Sequence, residues 1–399
     1  VSDGKLIDVV HLGEQPLANS LKNNQKNSEE KFPLSISFCE QSSLLQLNQT
    51  VEKEKLFNHY LWVTGTSKTT RYYANTFADI LISNINLKHE DFIIEIASND
   101  GTFLKPFLSK GFENVLGVDP AKNIADIACK NGVNTLSEFW SSSLAEQIVA
   151  NSGSAKVVLA RNVIPHVSEL LDVIKGIEIV LKEDGVCIIE FHDAGKILKE
   201  LHYDSIYHEH LCYFSIQSIT YLLNRFTLHP FHIEKSPISG GSRVIYFSKE
   251  ERLKSPELHE VIVEEKNNNV NELASWQDFS KRTITHRKKT LEIIESLNGK
   301  TIVGFGSSAR SQTYLNYCGI NCKQIDAIID NNPLKQGMYT PGSSIPILDF
   351  ETGMGMNPDL IFILAWNFRD EIVKQCKIYG YTGDFLVPFP NEPHFLNGK

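Results

Sequence analysis

Positions 202–210 gather His202, Tyr203, Tyr207, His208, Glu209 and His210 into one short stretch, with three of the chain's 13 histidines within nine residues. Imidazole titrates closest to neutrality, and a carboxyl or phenol beside it can orient it or share its proton. The stretch therefore suits general acid–base work. Metal binding competes poorly, because the helical H-E-x-x-H spacing is absent. A buried polar cluster that satisfies its own hydrogen bonds is the reading without chemistry.

A second set, Glu95-Ile96-Ala97-Ser98-Asn99-Asp100-Gly101, closes an apolar run and has a helix-like segment directly behind it. Small residues at a strand's carboxyl end let a ligand approach the backbone. The next apolar run ends at Asp119, 24 positions after Glu95, where an acidic side chain can accept both hydroxyls of a ribose. The loop lacks G-x-G-x-x-G and has no Lys or Arg to face a pyrophosphate. It favours a phosphate-free nucleoside, and the cationic S-adenosylmethionine fits; an ordinary strand-to-helix turn is the plain alternative. A third set, Gly304-Phe305-Gly306-Ser307-Ser308-Ala309-Arg310, also joins a strand to a helix. Its backbone N–H groups and Arg310 could take phosphate, while Asp330 and Lys335 near the next strand's end could read a sugar or base.

These sets need a scaffold, and the hydropathy pattern predicts an α/β one. Buried-strand runs at 92–96, 114–118, 157–160 and 186–191 alternate with helix-like periods, and 244–247 adds a later strand. In the charged stretch 251–298, Trp276, Phe279, Ile284, Leu291, Ile294 and Leu297 recur at roughly helical intervals, which predicts linking helices. A second α/β unit begins at 300, with strands at 301–304, 324–329 and 360–365. Residues 1–80 mix short apolar runs with a polar segment, 19–31, expected to be mobile.

With 399 residues, 42% hydrophobic and 22% charged, the chain suffices for two or three compact units and is too apolar for disorder. No apolar run is long enough to span a membrane, and the first twenty residues give no sign of a secretory leader. A net charge of −9 argues against a nucleic-acid partner. The seven cysteines are scattered without any C-x-x-C pair, which reads as reduced thiols in a cytoplasmic protein, with Cys318 and Cys322 as packing residues.

Taken together with the segments 12–18, 64–67, 240–242, 330–336 and 365–367, the elements Tyr207-His208-Glu209-His210 and Gly304-Phe305-Gly306-Ser307-Ser308-Ala309-Arg310 carry a family resemblance. The chain resembles, over nearly its whole length, the S-adenosylmethionine-dependent sugar C-methyltransferases that act at C3 of nucleotide-linked 4-keto deoxysugars. The resemblance implies a small N-terminal domain (1–80), a Rossmann-like class I methyltransferase domain (81–250), a helical linker (251–298) and a second Rossmann-like domain (299–399) for the nucleotide sugar. It implies His210 as base, with Glu209, Tyr207, His166 and an aromatic at Tyr60, or less directly Trp62, around the reaction. Glu95, Ala97, Ser98, Asn99, Gly101, Asp119 and Asn162 would hold the cofactor, with Thr64 and Gly65 covering its methionine end. Phe139 is a further candidate for the cofactor, or core. Gly304, Gly306, Ser307, Ser308, Arg310, Asp330 and Lys335 would bind the substrate's nucleotide diphosphate.

Two departures stand out. Relatives carry a four-cysteine zinc site from two C-x-x-C pairs, whereas here no cysteine precedes Cys39 and Ser42 replaces the partner of Cys39. No zinc is expected, and apolar packing should hold the module. Ser239 stands where relatives often have histidine. On the residues themselves two other classes stay open: an NAD(P)-dependent oxidoreductase of nucleotide sugars, and a non-catalytic nucleotide-sugar-binding protein. The missing phosphate-binding glycines of the middle unit speak against the first, and the retained Tyr207, Glu209 and His210 against the second.

Overall fold

The computed structural model describes residues 4–26, 28–52, 56, 63–238 and 240–397. Three sheets organise them. The first is antiparallel, in the order β1 (Leu6–Gln15), β2 (Phe32–Cys39), β3 (Leu45–Leu47) and β9 (Cys212–Tyr213). Its last strand comes from the middle of the chain and follows His210 directly.

The central sheet contains β4 (Ile93–Ile96), β5 (Val115–Val118), β6 (Thr135–Leu136), β7 (Ala155–Arg161), β8 (Leu181–His192), β10 (His229–Lys235) and β11 (Ser242–Ser248), in the order β10-β11-β8-β7-β4-β5-β6. The strands β4 to β8 run parallel, and β10 and β11 add an antiparallel edge. All four residues of β4 and of β5 are buried, as expected of parallel strands covered on both faces by helices. Chain order reverses between β4 and β7. At such a point the connections leave in opposite directions and open a crevice beyond the carboxyl ends of the strands.

The third sheet comprises β12 (Ile302–Phe305), β13 (Ala327–Ile329), β14 (Ile347–Leu348), β15 (Leu360–Ile363), β16 (Asp384–Val387) and β17 (His394–Leu396). Its order is β14-β13-β12-β15-β16-β17, parallel except at β17, so its own reversal lies between β12 and β15. The 24-residue helix Leu273–Ser296 connects the halves and buries Trp276, Phe279, Thr283, His286, Thr290 and Ile294. Ile284, read from its spacing as part of that face, is instead 62% exposed.

One hydrophobic core runs from Val10, Ile36 and Phe38 of the first sheet through Ile96 and Ile189 to Phe362 of the third. Apolar packing thus carries the N-terminal module, as its missing cysteines led us to expect. The segment 19–31, expected to be mobile, is docked through its described residues. The backbones of Lys22 and Tyr339 bond reciprocally (2.9 and 2.7 Å), the buried Lys22 ammonium pairs with Glu29 at 3.0 Å, and the Glu29 carboxylate accepts from the Gly342 N–H at 2.9 Å. Among the described residues no helix is long and apolar enough to cross a membrane.

Candidate active site

The crevice at the central sheet's reversal is lined by the loop that follows β4. Ala97 (φ 53°), Asn99 (φ 51°) and Gly101 (φ 77°) all adopt left-handed backbone, which costs a non-glycine residue about 1 kcal/mol or more. The surroundings enforce it. The Asp119 carboxylate, at the tip of β5, accepts from the Asn99 and Ala121 N–H groups, each at 2.9 Å. The Thr64 N–H donates to the Asn99 side chain (2.9 Å) and the Gly65 N–H to Asp100 (3.1 Å), so residues 64 and 65 lie over the loop. A Cβ on Gly65 would sit 2.4 Å from Asp100.

Two polar atoms in this crevice are buried without a hydrogen-bond partner among the described residues, Glu95 Oε2 and Ser98 Oγ. Burial raises the Glu95 carboxyl to about 8, against the pull of Arg161. Burial also raises Asp119, while the amide donors of Ala121 and Asn99 oppose the shift. Asn162 (φ 50°), just past β7, donates its N–H to the Glu190 carbonyl at 2.8 Å. Phe139 is 57% exposed, so the core reading does not hold for it.

The proton-handling stretch lies at the same carboxyl edge. From Asn162 the chain turns through Ile164–His166, and the Leu211 N–H donates to the Pro165 carbonyl at 2.7 Å. The rings of His166 and His210 are 4.7 Å apart. His210 Nδ1 lies 2.9 Å from the Ser205 carbonyl, which can only accept, so Nδ1 carries the proton. Nε2 is then an acceptor in the neutral ring, and the Tyr207 hydroxyl donates to it at 2.7 Å.

Burial, with His166 adding to it, holds His210 well below the ordinary histidine range, against the opposing Ser205 carbonyl. His166 falls to about 4 for the same reason, and its Nδ1 is buried without a partner among the described residues. Both imidazoles are therefore neutral at pH 7. Burial pushes Glu209 up to about 7, opposed by the Asn19 amide that donates to it at 2.6 Å.

The other two histidines of the stretch do not join this group. His208 Nε2 donates to the Phe32 carbonyl (3.3 Å), and the His202 ring lies tilted against Trp366 at 4.5 Å. Tyr60, Trp62 and Ser239 lie outside the described residues. Three participants were missed from sequence. Asn19 holds Glu209, and Asp204 has partners described below. His192, at the tip of β8, keeps a buried Nε2 without a partner among the described residues. It ends the apolar run 186–191, so its place at a strand tip was the available signal.

A cavity of about 490 Å³ lies between the central and third sheets, lined among others by Lys196, Lys235, Gly240, Gly241, Trp366 and Arg369. Gly240 (φ 54°) approaches so closely that a Cβ there would sit 2.9 Å from that of Asn367. The loop at 304–310, by contrast, is partly engaged from within. The Ser307 N–H donates to Asp330 at 2.8 Å, Lys335 Nζ donates to the Ser307 carbonyl at 2.7 Å, and Ser308 caps its own helix. Gly304 and Gly306 are needed for packing, since a Cβ would meet Ile328 at 2.9 Å and Ala365 at 2.3 Å respectively. Arg310 is taken by Asp204.

The fold is α/β, with a crevice at the strand tips of its central sheet and a neutral imidazole at the same edge. Three family models match the chain: "Putative zinc binding domain" over residues 2–57, "Methyltransferase domain" over 70–229 and "C-methyltransferase C-terminal domain" over 237–390. The chain is 30% identical over 400 aligned residues, 98% of its own length and 95% of the relative's, to the C-methyltransferase NovU of Streptomyces niveus. It belongs to the S-adenosylmethionine-dependent C-methyltransferases.

Among solved structures, a methyltransferase of Thermotoga maritima covers 45% of this chain and 98% of its own at 21% identity and TM-score 0.33. The magnesium protoporphyrin IX methyltransferase of Synechocystis, with bound SAM, covers 44% and 78% at 13% identity and TM-score 0.34.

The crevice fits the cofactor, S-adenosylmethionine. Its carboxyls suit a cationic ligand, and the unpartnered Glu95 and Ser98 atoms need hydrogen-bonding groups that the chain does not supply. In the N-terminal module Cys39 is a buried thiol against Gly4, and at position 42 the second cysteine of the pair is replaced by a serine whose hydroxyl, a poor zinc ligand, accepts from the Leu44 N–H at 3.4 Å.

Proposed function

We propose that this C-methyltransferase acts at C3 of a nucleotide-linked 4-keto deoxysugar, through an enolate. A ring carbon becomes nucleophilic when an adjacent ketone acidifies its C–H bond. The enzyme then needs a neutral base, donors for the enolate oxygen and two reactants held together. The observation that carries the reading is the fixed tautomer of His210, whose basic Nε2 lies under the Tyr207 hydroxyl beside the cofactor crevice.

In this reading His210 Nε2 takes the C3 proton. Tyr207 turns its O–H from Nε2 to the developing enolate oxygen, and His166 Nδ1 lies beside them as a further polar contact. Glu209, steered by Asn19, binds the sugar. S-adenosylmethionine, when bound, supplies an electrophilic methyl group. Glu95, Ala97, Ser98, Asn99, Gly101, Asp119 and Asn162 would hold it from below, with Thr64 and Gly65 above. The nucleotide diphosphate is assigned to the cavity lined by Lys196, Lys235 and Arg369, where it would compete with Glu200 for Lys196 and with Asp370 for Arg369.

The test is incubation with S-adenosylmethionine and a panel of thymidine, uridine, cytidine and guanosine diphosphate 4-keto-6-deoxysugars. One member should gain a single CH₂ by mass, placed at C3 by carbon NMR. A methyl group on oxygen, or no product from any member, would refute the proposal.

Glu95 adds a pH signature. Raised by burial to about 8, its carboxyl is mostly protonated in the free protein at pH 7. A bound cation favours the carboxylate, so S-adenosylmethionine binding should release a proton, and affinity should rise with pH up to about 8 and level off above it. Calorimetry in two buffers of different ionisation enthalpy reads that proton directly. Identical heats at pH 7 would remove Glu95 from the cofactor's surroundings.

A further inference from the structure

The third sheet's reversal, between β12 and β15, is where such a fold opens its ligand crevice. Arg310, in the first turn of the helix Ala309–Cys318 that follows β12, and Trp366, in the short turn after β15, point there together, with the guanidinium 4.7 Å from the indole ring. Their partner is the chain's own Asp204. Arg310 Nε and Nη2 donate to its two carboxylate oxygens at 3.0 and 2.9 Å, and Trp366 Nε1 donates at 2.8 Å. Asp204 is 1% exposed. A carboxylate from the central unit thus fills the anion position of the C-terminal one, in the bidentate geometry that makes arginine pairs specific.

The two neighbours of Asp204 extend the arrangement. Tyr203 on one side is fully buried against Tyr314, Tyr317 and Phe389, and its hydroxyl meets His286 Nδ1 at 2.9 Å. Ser205 on the other side presents the carbonyl that accepts from His210 Nδ1. A continuous path therefore runs from Arg310 and Trp366 through Asp204 and the Ser205 carbonyl to the imidazole.

We infer that Arg310 and Asp204 are positioning residues. Their ion pair fixes the 203–205 turn, so that the Ser205 carbonyl holds His210 in the tautomer whose Nε2 is basic. The C-terminal unit then assembles the base as well as binding substrate. This inference rests on the reading of His210 as base, but its structural half can be tested without any substrate.

The experiment uses full-length protein with ¹⁵N-labelled histidine, in which long-range proton–nitrogen spectra report the tautomer of each ring. His210 is assigned by the peak missing from His210→Asn. The wild type should show a single neutral form protonated at Nδ1. Arg310→Gln, Asp204→Asn and the milder Trp366→Phe, which keeps the ring and loses only the N–H donor, should each give a mixture of tautomers. Arg310→Lys, with the charge but not the fork, should fall between wild type and Arg310→Gln.

In an active assay the same variants should lose kcat by about 10- to 100-fold with the KM for S-adenosylmethionine unchanged. A tautomer shift in a protein that methylates no sugar nucleotide would support the positioning role and defeat only the substrate reading. A His210 signal unchanged in Trp366→Phe and in whichever Arg310 variant folds would overturn the inference, whatever the substrate proves to be.

Discussion

Replacing His210 by asparagine is expected to lower methyl transfer by about 10²- to 10⁴-fold, the usual contribution of a positioned general base. Asparagine is the informative choice. Its amide N–H can reproduce the donation of Nδ1 to the Ser205 carbonyl, so the turn keeps its bond while the acceptor at Nε2 is lost. The Tyr207 hydroxyl loses its partner at 2.7 Å and remains as a donor for the enolate oxygen. Affinity for S-adenosylmethionine should change little, because the bonds that shape the 97–101 loop come from Asp119, Thr64 and Gly65 and not from His210. Steady-state turnover and calorimetry measure the two effects separately. Activity within a few-fold of wild type would move the base elsewhere.

The largest effect on stability should come from beneath the cofactor crevice. Arg161 and Glu190, at the ends of β7 and β8, form an ion pair with side chains 4% and 0% exposed. The guanidinium is enclosed by aromatic rings, with its carbon 3.7 Å from the ring centre of Phe103, 4.6 Å from Phe77 and 5.1 Å from Tyr73. Rings of this kind attract a cation but cannot replace its counter-charge. Glu190→Gln leaves a charge buried without its partner, which costs about 3–5 kcal/mol and should lower the thermal midpoint by roughly 10 °C. Removing both charges, as Arg161→Met with Glu190→Leu, should recover most of that loss, because two desolvation penalties disappear together. Calorimetric melting of Glu190→Gln, of Arg161→Met and Glu190→Leu singly, and of the double variant tests this. Additive losses would show that the charges do not act as a pair.

The α/β class and the strands at 93–96, 115–118 and 155–161 were legible because parallel strands buried on both faces leave unbroken apolar runs that end in small or acidic residues. The grouping of Tyr207 with His210 was legible because three residues and one turn connect them. The role of 19–31 was not. Its polar composition signals solvation, yet Lys22 is buried because Glu29 and the backbone of the distant Tyr339 receive it. Arg310 shows the same limit in another form. Its residue type announced an anion, but the nearest candidate in sequence was a phosphate ligand and the actual partner, Asp204, is 106 positions back. Long-range partners of this kind are set by how sheets pack together, which local periodicity does not encode.

The most direct measurement of the central claim is hydrogen exchange without methyl transfer. The protein is mixed with S-adenosylhomocysteine and the nucleotide 4-keto sugar that it methylates, in deuterium oxide, and proton NMR follows the sugar ring. The C3 signal should disappear in wild-type protein and persist at the enzyme-free rate in His210→Asn. Equal loss of that signal in both proteins, or retention of it in a wild type that still methylates C3, would contradict the claim.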